Sequence, residues 1–182
     1  MLPSTQQALV DISVVPVEPT TIRTLAHKRF PENVLLSEIR ACAEDHFVCI
    51  GRIPTDHRFF NDRGRTPRED ILFYTEVGRQ ASLAVTHAFL HVSLDDVFIF
   101  ERSRAEVTPA IWSLPPASDR VVIEITLKET ICRKNTVTRV VAEHVMSVGG
   151  AHVFRGTGTW TIQSAALFKR LRRTAVDTAA HA

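Results

Sequence analysis

The sequence predicts an α+β fold in which an antiparallel sheet wraps around one long central helix. Two observations carry this. Residues 66–92, TPREDILFYTEVGRQASLAVTHAFLHV, hold the longest sustained helical pattern in the chain. Two strand-like runs precede that segment and four follow it, the last two joined by Gly149-Gly150, a tight-hairpin signature. A single helix cannot cover both faces of a flat sheet of that size, so the sheet has to curl around it.

The helix start is signalled twice. Thr66-Pro67-Arg68-Glu69 reads as a capping box with proline at the first helical position, and Asp70 is a rival cap. At about 100° per residue, Tyr74, Val77, Ala81, Ala84, Val85, Ala88 and Val92 share one broad apolar face. Glu76, Gln80, Leu83 and His87 form a second stripe along its edge, and Arg79 lies one step further round. That stripe is either a solvated shoulder of ordinary helix neighbours or a row of reactive groups at the border of the core.

The remaining elements follow in chain order. Residues 1–25 contain Pro3, Pro16 and Pro19 and read as an arm laid across the surface. His27-Lys28-Arg29 leads into Val34-Leu35-Leu36, a first strand whose beginning is limited by Pro31. The run DHFVCIGRI at 45–53 is a second strand, weakened at its far end by Gly51. The polar, turn-rich PTDHRFFNDRGRT then forms a loop before the helix, with His57, Asp62 and Arg63 as its titratable groups. It is either a substrate-contacting loop or a capped turn with surface charges.

Beyond the helix, strands are expected at 96–107, 120–130, 136–148 and 151–164. Residues 120–130 show clear period-two alternation, with Val121, Ile123, Ile125 and Leu127 on one face. The proline-rich TPAIWSLPPAS is a loop, residues 165–173 make a short basic helix, and the last nine residues fray. The expected division is an arm at 1–25, one domain at 26–165 and a basic tail at 166–182. Two strands, a long helix and four more strands is the outline of a hotdog fold.

Composition narrows the function classes. The chain has 182 residues, 45% of them apolar and 23% charged, enough for one domain with a full core. A net charge of +2 gives no reason to expect nucleic-acid binding. The one basic cluster, Lys169, Arg170, Arg172 and Arg173, fits a solvated helix face or tail. No apolar run reaches the ~18 residues of a membrane span, and the N-terminus lacks the form of a signal peptide, so the expected location is the cytoplasm. Cys42, Cys49 and Cys132 are odd in number and lack metal-site spacing, so no disulfide framework or zinc site is expected and all three read as buried, inert thiols.

The segment Asp70-Ile71-Leu72-Phe73-Tyr74-Thr75-Glu76-Val77-Gly78-Arg79-Gln80-Ala81 resembles the D-x-L-x-x-x-E-x-x-R-Q-A signature of the A-factor biosynthesis hotdog family, the AfsA-type proteins. His27-Lys28, the HRFFND loop at 57–62 and His87 add to the match, which covers roughly residues 27–162. The resemblance implies condensation of a β-ketoacyl thioester, carried by an acyl carrier protein or coenzyme A, with dihydroxyacetone phosphate, on the way to γ-butyrolactone signals. Typical members carry two hotdog repeats and this chain has room for one, so a homodimer is expected, with a composite site that draws Glu76 from one protomer and Arg79 from its partner. The helix is also similar to that of bacterial β-hydroxyacyl thioester dehydratases. Those place a histidine some fourteen residues before the glutamate, where this chain has Asp62; His57 lies five residues earlier.

The residues fit such chemistry. A carboxylate at the edge of a buried helix has its pKa raised by desolvation and can act as general base, which makes Glu76 the first catalytic candidate. Arg79 is the second, as a phosphate or oxyanion partner, or else a plain salt-bridge partner of Glu76. Gln80, His87, His57 and Asp62 are the expected substrate contacts, and amides at the helix start would polarise the thioester carbonyl. No cofactor or metal is called for. The competing readings are a dehydratase or thioesterase using Glu76, and a non-catalytic ligand-binding hotdog.

Overall fold

The computed structural model describes residues 19–61, 66–115 and 118–180, with side chains described between residues 21 and 172. The helices are α1 (Pro19–Leu25), α2 (Ile71–Phe89) and α3 (Ala165–Ala180). The strands are β1 (Leu36–Ala41), β2 (His46–Arg52), β3 (Val97–Val107), β4 (Arg120–Arg133), β5 (Thr136–Val148) and β6 (Ala151–Gln163). They form one antiparallel sheet in the order β1-β2-β4-β5-β6-β3, against which α2 packs.

Local chemistry sets where α2 begins. The residues expected to cap it at Thr66 form a separate 3-10 turn, Pro67–Glu69, and Thr66 makes no side-chain cap bond. Asp70 is the cap instead: its side chain accepts from Leu72 N at 2.8 Å, and its carbonyl takes Phe73 N. From Val77 to His87 every residue except Arg79 is buried, so α2 is an interior helix enclosed on both sides. Ser82 and Thr86 are tolerated there because each hydroxyl bonds the carbonyl four residues back.

The sheet covers one side of α2 with Val121, Ile123 and Ile125 of β4, Val140, Ala142, Met146 and Val148 of β5, and Phe154, Trp160 and Ile162 of β6. Gly51 does more than weaken the end of β2. A Cβ there would lie 2.6 Å from Val121 Cγ1 and 2.8 Å from Val77 Cγ2, so glycine is what lets β2 and α2 approach.

The other side is closed by the segment read from sequence as a surface arm. Residues 1–18 lie outside the described part, but the end of that arm is α1, which packs on α2 and buries Ile22 in the core. The first strand starts at Leu36, later than Val34, because Pro31–Asn33 is a 3-10 turn and Leu35 N is held by Gln80 Oε1 at 2.9 Å. Gly149 and Gly150 take φ of +56° and +82° in the expected hairpin. The terminal helix runs to Ala180, past both its expected end and the start of the expected frayed tail. Of the three thiols only Cys49 is buried; Cys132 is exposed where β4 runs past the end of the core. Strand β3 is an open edge with Ile99 37% and Phe100 44% exposed. Among the described residues no helix is long and apolar enough to cross a membrane.

Candidate active site

Helix α1 ends in a Schellman motif: His27 N bonds Thr24 O at 3.0 Å and Lys28 N bonds Arg23 O at 3.0 Å, with His27 at φ +54°. This reversal turns His27 and Lys28 toward α2. Lys28 Nζ then lies 2.6 Å from Glu76 Oε1. Arg79 grips the same carboxylate with two bonds, Nε to Oε2 at 2.8 Å and Nη2 to Oε1 at 3.0 Å, and Gln80 Nε2 adds a fourth at 2.9 Å.

These bonds decide the protonation of Glu76. Burial by itself pushes the carboxyl up, as the sequence suggested, but the hydrogen bonds from Arg79, Lys28 and Gln80 outweigh it and hold the group at about 2. The expectation of a raised pKa is therefore overturned: the group is a fixed carboxylate. The cross-protomer expectation changes too, since Glu76 and Arg79 pair within one chain, one helical turn apart.

The ion-paired group opens into a cleft of about 470 Å³ between α2, the 3-10 turn at Asn33 and the loop at 57–60. His57 lines it together with Lys28, Thr75, Glu76 and Arg79, and Phe59, Phe60 and Leu72 give it an apolar wall. His57 Nδ1 accepts from Phe59 N at 3.2 Å, which fixes the ring within the turn. Asp62 and Arg63 lie outside the described residues.

Gln80 and His87 sit deeper than an edge stripe. Both ends of the Gln80 amide are taken, Oε1 by Leu35 N and Nε2 by Asn33 O and Glu76, so it ties residues 33–35 to the helix and orients the carboxylate. His87 is buried, with Nδ1 2.9 Å from Val92 O and Nε2 2.8 Å from His27 Nε2. Burial, then the neighbouring His87 and Arg79, lower the pKa of His27. Of the first-turn amides expected to polarise a carbonyl, those of Leu72 and Phe73 are taken by Asp70. Among the described residues no cluster of His, Cys, Asp and Glu suits a metal.

A second cavity, of about 140 Å³, lies across Thr75 and Arg79, which line both spaces. It is walled by Tyr74, Phe100, Met146 and Phe154, and it holds a buried polar pair, Ser82 Oγ and His144 Nε2, 2.8 Å apart. Sequence reasoning missed this pair, since its members are 62 residues apart and meet only through the packing of α2 on β5. Lys28 was also not singled out as a site residue, although the His27-Lys28 match was its visible signal.

Residues 10–164 match the model of the A-factor biosynthesis hotdog domain. No curated protein matches the sequence. The fold is similar to that of the dehydratase heterocomplex ApeI:P from Xenorhabdus doucetiae (TM-score 0.58, 18% identity, 83% of this chain and 95% of that one). It is also similar to a hot-dog-like protein from Thermanaerovibrio acidaminovorans (0.50, 15%, 71% and 89%) and a thioesterase from Haemophilus influenzae (0.48, 16%, 70% and 78%). At these identities the structures share architecture alone, and it is the family match, running from before α1 to the end of β6 and taking in Lys28, Glu76 and Arg79, that makes this chain a member of the A-factor biosynthesis hotdog family.

Proposed function

We propose that the protein transfers a β-ketoacyl group from an acyl carrier protein or coenzyme A thioester to a hydroxyl of a small phosphorylated acceptor such as dihydroxyacetone phosphate. The observation that carries this is the charge balance around Glu76: one carboxylate faces two cations, Lys28 and Arg79, in a cleft open to a ligand. A site with positive charge in excess, and with a guanidinium in it, suits a phosphate.

The ion pairs also suggest how the carboxylate becomes a base. An arriving phosphate competes for Lys28 and Arg79. As their bonds to Glu76 loosen, burial pushes its pKa upward. Glu76 then takes the proton of the acceptor hydroxyl as that oxygen attacks the thioester carbonyl, and the C–S bond breaks. Glu76 returns the proton to the departing thiolate, leaving an ester and a thiol. Gln80 holds the carboxylate in place, and His87 supports the ring of His27 beside Lys28. The acyl chain extends past Thr75 into the second cavity. His57 is assigned to the acceptor side.

The chain acts as a homodimer in this reading, because open β3 and its exposed Ile99 and Phe100 need a partner. A second reading, dehydration of a carrier-bound hydroxyacyl chain, draws on His57 and Glu76 lining one cleft. The deciding assay supplies a β-ketoacyl carrier protein with and without dihydroxyacetone phosphate and identifies products by mass spectrometry. A phosphorylated ester that forms only with the acceptor supports transfer. An enoyl chain from a hydroxyacyl substrate supports dehydration, and no turnover of either excludes both.

A further inference from the structure

The cavity beyond Thr75 and Arg79 has a mainly apolar surface, with Ser103, Arg104 and Thr157 also in its lining and the Ser82–His144 pair as its buried polar groups. Gly78 and Gly156 keep it open, since a Cβ at Gly78 would lie 2.8 Å from Met146 Cε and one at Gly156 would lie 2.8 Å from Phe154 Cε1 and 3.1 Å from the Arg104 carbonyl. Its volume of about 140 Å³ is close to the ~150 Å³ of an apolar cavity that takes up benzene. A purely alkyl guest would need no polar group here. Yet the wall carries a buried serine and a buried histidine.

Hydrogen-bond counting shows what that pair leaves open. Ser82 has one hydroxyl proton, and Oγ donates it to Gly78 O at 2.9 Å. The 2.8 Å contact between Ser82 Oγ and His144 Nε2 is then a bond in which the imidazole donates. That tautomer makes Nδ1 the bare, accepting nitrogen. Among the described residues nothing donates to it. Nδ1 is not one of the fully buried unpartnered atoms, which are Arg40 Nε and Trp160 Nε1 among the described residues, so solvent reaches this acceptor on a residue that lines the cavity. An apolar guest that covered it would leave an acceptor without a donor, which is costly, whereas a guest with a hydrogen-bond donor would not.

We propose that this cavity binds an acyl group bearing a hydroxyl, whose proton is accepted by His144 Nδ1 while the hydrocarbon packs on Tyr74, Met146 and Phe154. Ser82 fixes the tautomer and is a positioning residue. Burial keeps the imidazole neutral, lowering its pKa to about 4, so the accepting nitrogen persists at neutral pH. That the hydroxylated guest is an acyl group rests on the acyl-transfer reading above; the preference of the cavity for a hydroxyl stands by itself.

The test uses two near-isosteric probes, phenol, which donates a hydrogen bond, and toluene, which does not. Neither is a thioester, so the result is independent of whether acyl transfer is ever observed. Phenol is expected to bind on the order of tenfold tighter than toluene to the whole protein, as one neutral hydrogen bond implies. In the 15N spectrum of histidine-labelled protein, phenol and not toluene shifts the His144 Nδ1 resonance. His144→Phe is expected to bind the two probes equally, and Ser82→Ala to reduce the preference by freeing the tautomer. Equal binding to the parent, no binding of either probe, a phenol preference that survives His144→Phe, or an unmoved Nδ1 resonance would each overturn the proposal. The last measurement needs no variant and decides the matter if His144→Phe does not fold.

Discussion

Lys28 Nζ stands 2.6 Å from Glu76 Oε1, although the two residues are 48 positions apart, Lys28 in the turn after α1 and Glu76 within α2. The reversal at His27, which closes α1, creates this contact. Lys28 and Arg79 together turn a carboxylate that burial would protonate into one that stays ionised. The ion-paired cluster is thus a latch on the base, and it makes specific demands of variants.

Glu76→Gln is expected to keep the fold, since the amide is isosteric, and to lower turnover by roughly 10²–10⁴-fold, the usual range for loss of a general base. Steady-state rates alongside circular dichroism check this. Activity within about tenfold of the parent removes Glu76 from the base role.

Lys28→Met separates phosphate binding from acyl transfer. One charge-assisted hydrogen bond contributes ~1.5–3 kcal/mol, so KM for the phosphorylated acceptor should rise roughly 10- to 100-fold. The thioester's affinity should stay near that of the parent. Equal losses for both substrates would instead mark Lys28 as a structural tie between α1 and α2.

Acid should destabilise the protein in two windows. His144 is lowered from about 6.5 to about 4, so the unfolded chain binds the extra proton first. Stability is full above the unfolded value and falls as pH drops from 6.5 toward 4, by on the order of 3 kcal/mol for so buried a group. Glu76 is lowered from about 4.5 to about 2, so its contribution is present above 4.5 and is lost as pH falls toward 2. Denaturant titrations across pH should show His144→Phe flattening the upper window and Glu76→Gln the lower. A curve unchanged in either variant refutes the matching assignment.

Two glycine substitutions should part company. At Gly51 a new Cβ meets branched core side chains, Val121 at 2.6 Å and Val77 at 2.8 Å, so Gly51→Ala should cost about 1–3 kcal/mol by overpacking. At Gly78 it meets only the mobile end of Met146, and alanine favours a helix by ~0.5–1 kcal/mol, so Gly78→Ala should be near neutral in stability. The same change should shrink the second cavity and weaken toluene binding. Thermal melts and a probe titration test both halves.

Ile99→Glu places a charge on edge strand β3, at a 37% exposed side chain that lines neither cavity. Light scattering of the parent at micromolar concentration is expected to give about twice the 20.4 kDa of one chain. The variant should give the single-chain mass. A monomeric parent removes the dimer from the proposed reading.

Much of the architecture is written in local pattern. The period of 3.6 in α2, the period of two in β4 and the paired glycines at 149 and 150 each act within a few neighbours, so the type of α2 and of the strands after it, and the bounds of β5, could be read without a structure, whereas α1 could not. Glu76, Arg79, Gln80 and His87 share a helix, and helical spacing alone makes them neighbours. What local pattern did not contain is the state of those groups. Whether the Glu76 carboxyl is raised by burial or held down by donors depends first on how Arg79 of the same helix is turned toward it and then on Lys28, which arrives from beyond α1 across the chain. Whether Gln80 is free depends on Asn33 and Leu35, which take both ends of its amide. The Ser82–His144 pair arises only where α2 lies on β5. Sequence spacing decides which side chains share a face; long-range packing decides which of them meet, and so which are charged, which are occupied and which are left to bind a ligand.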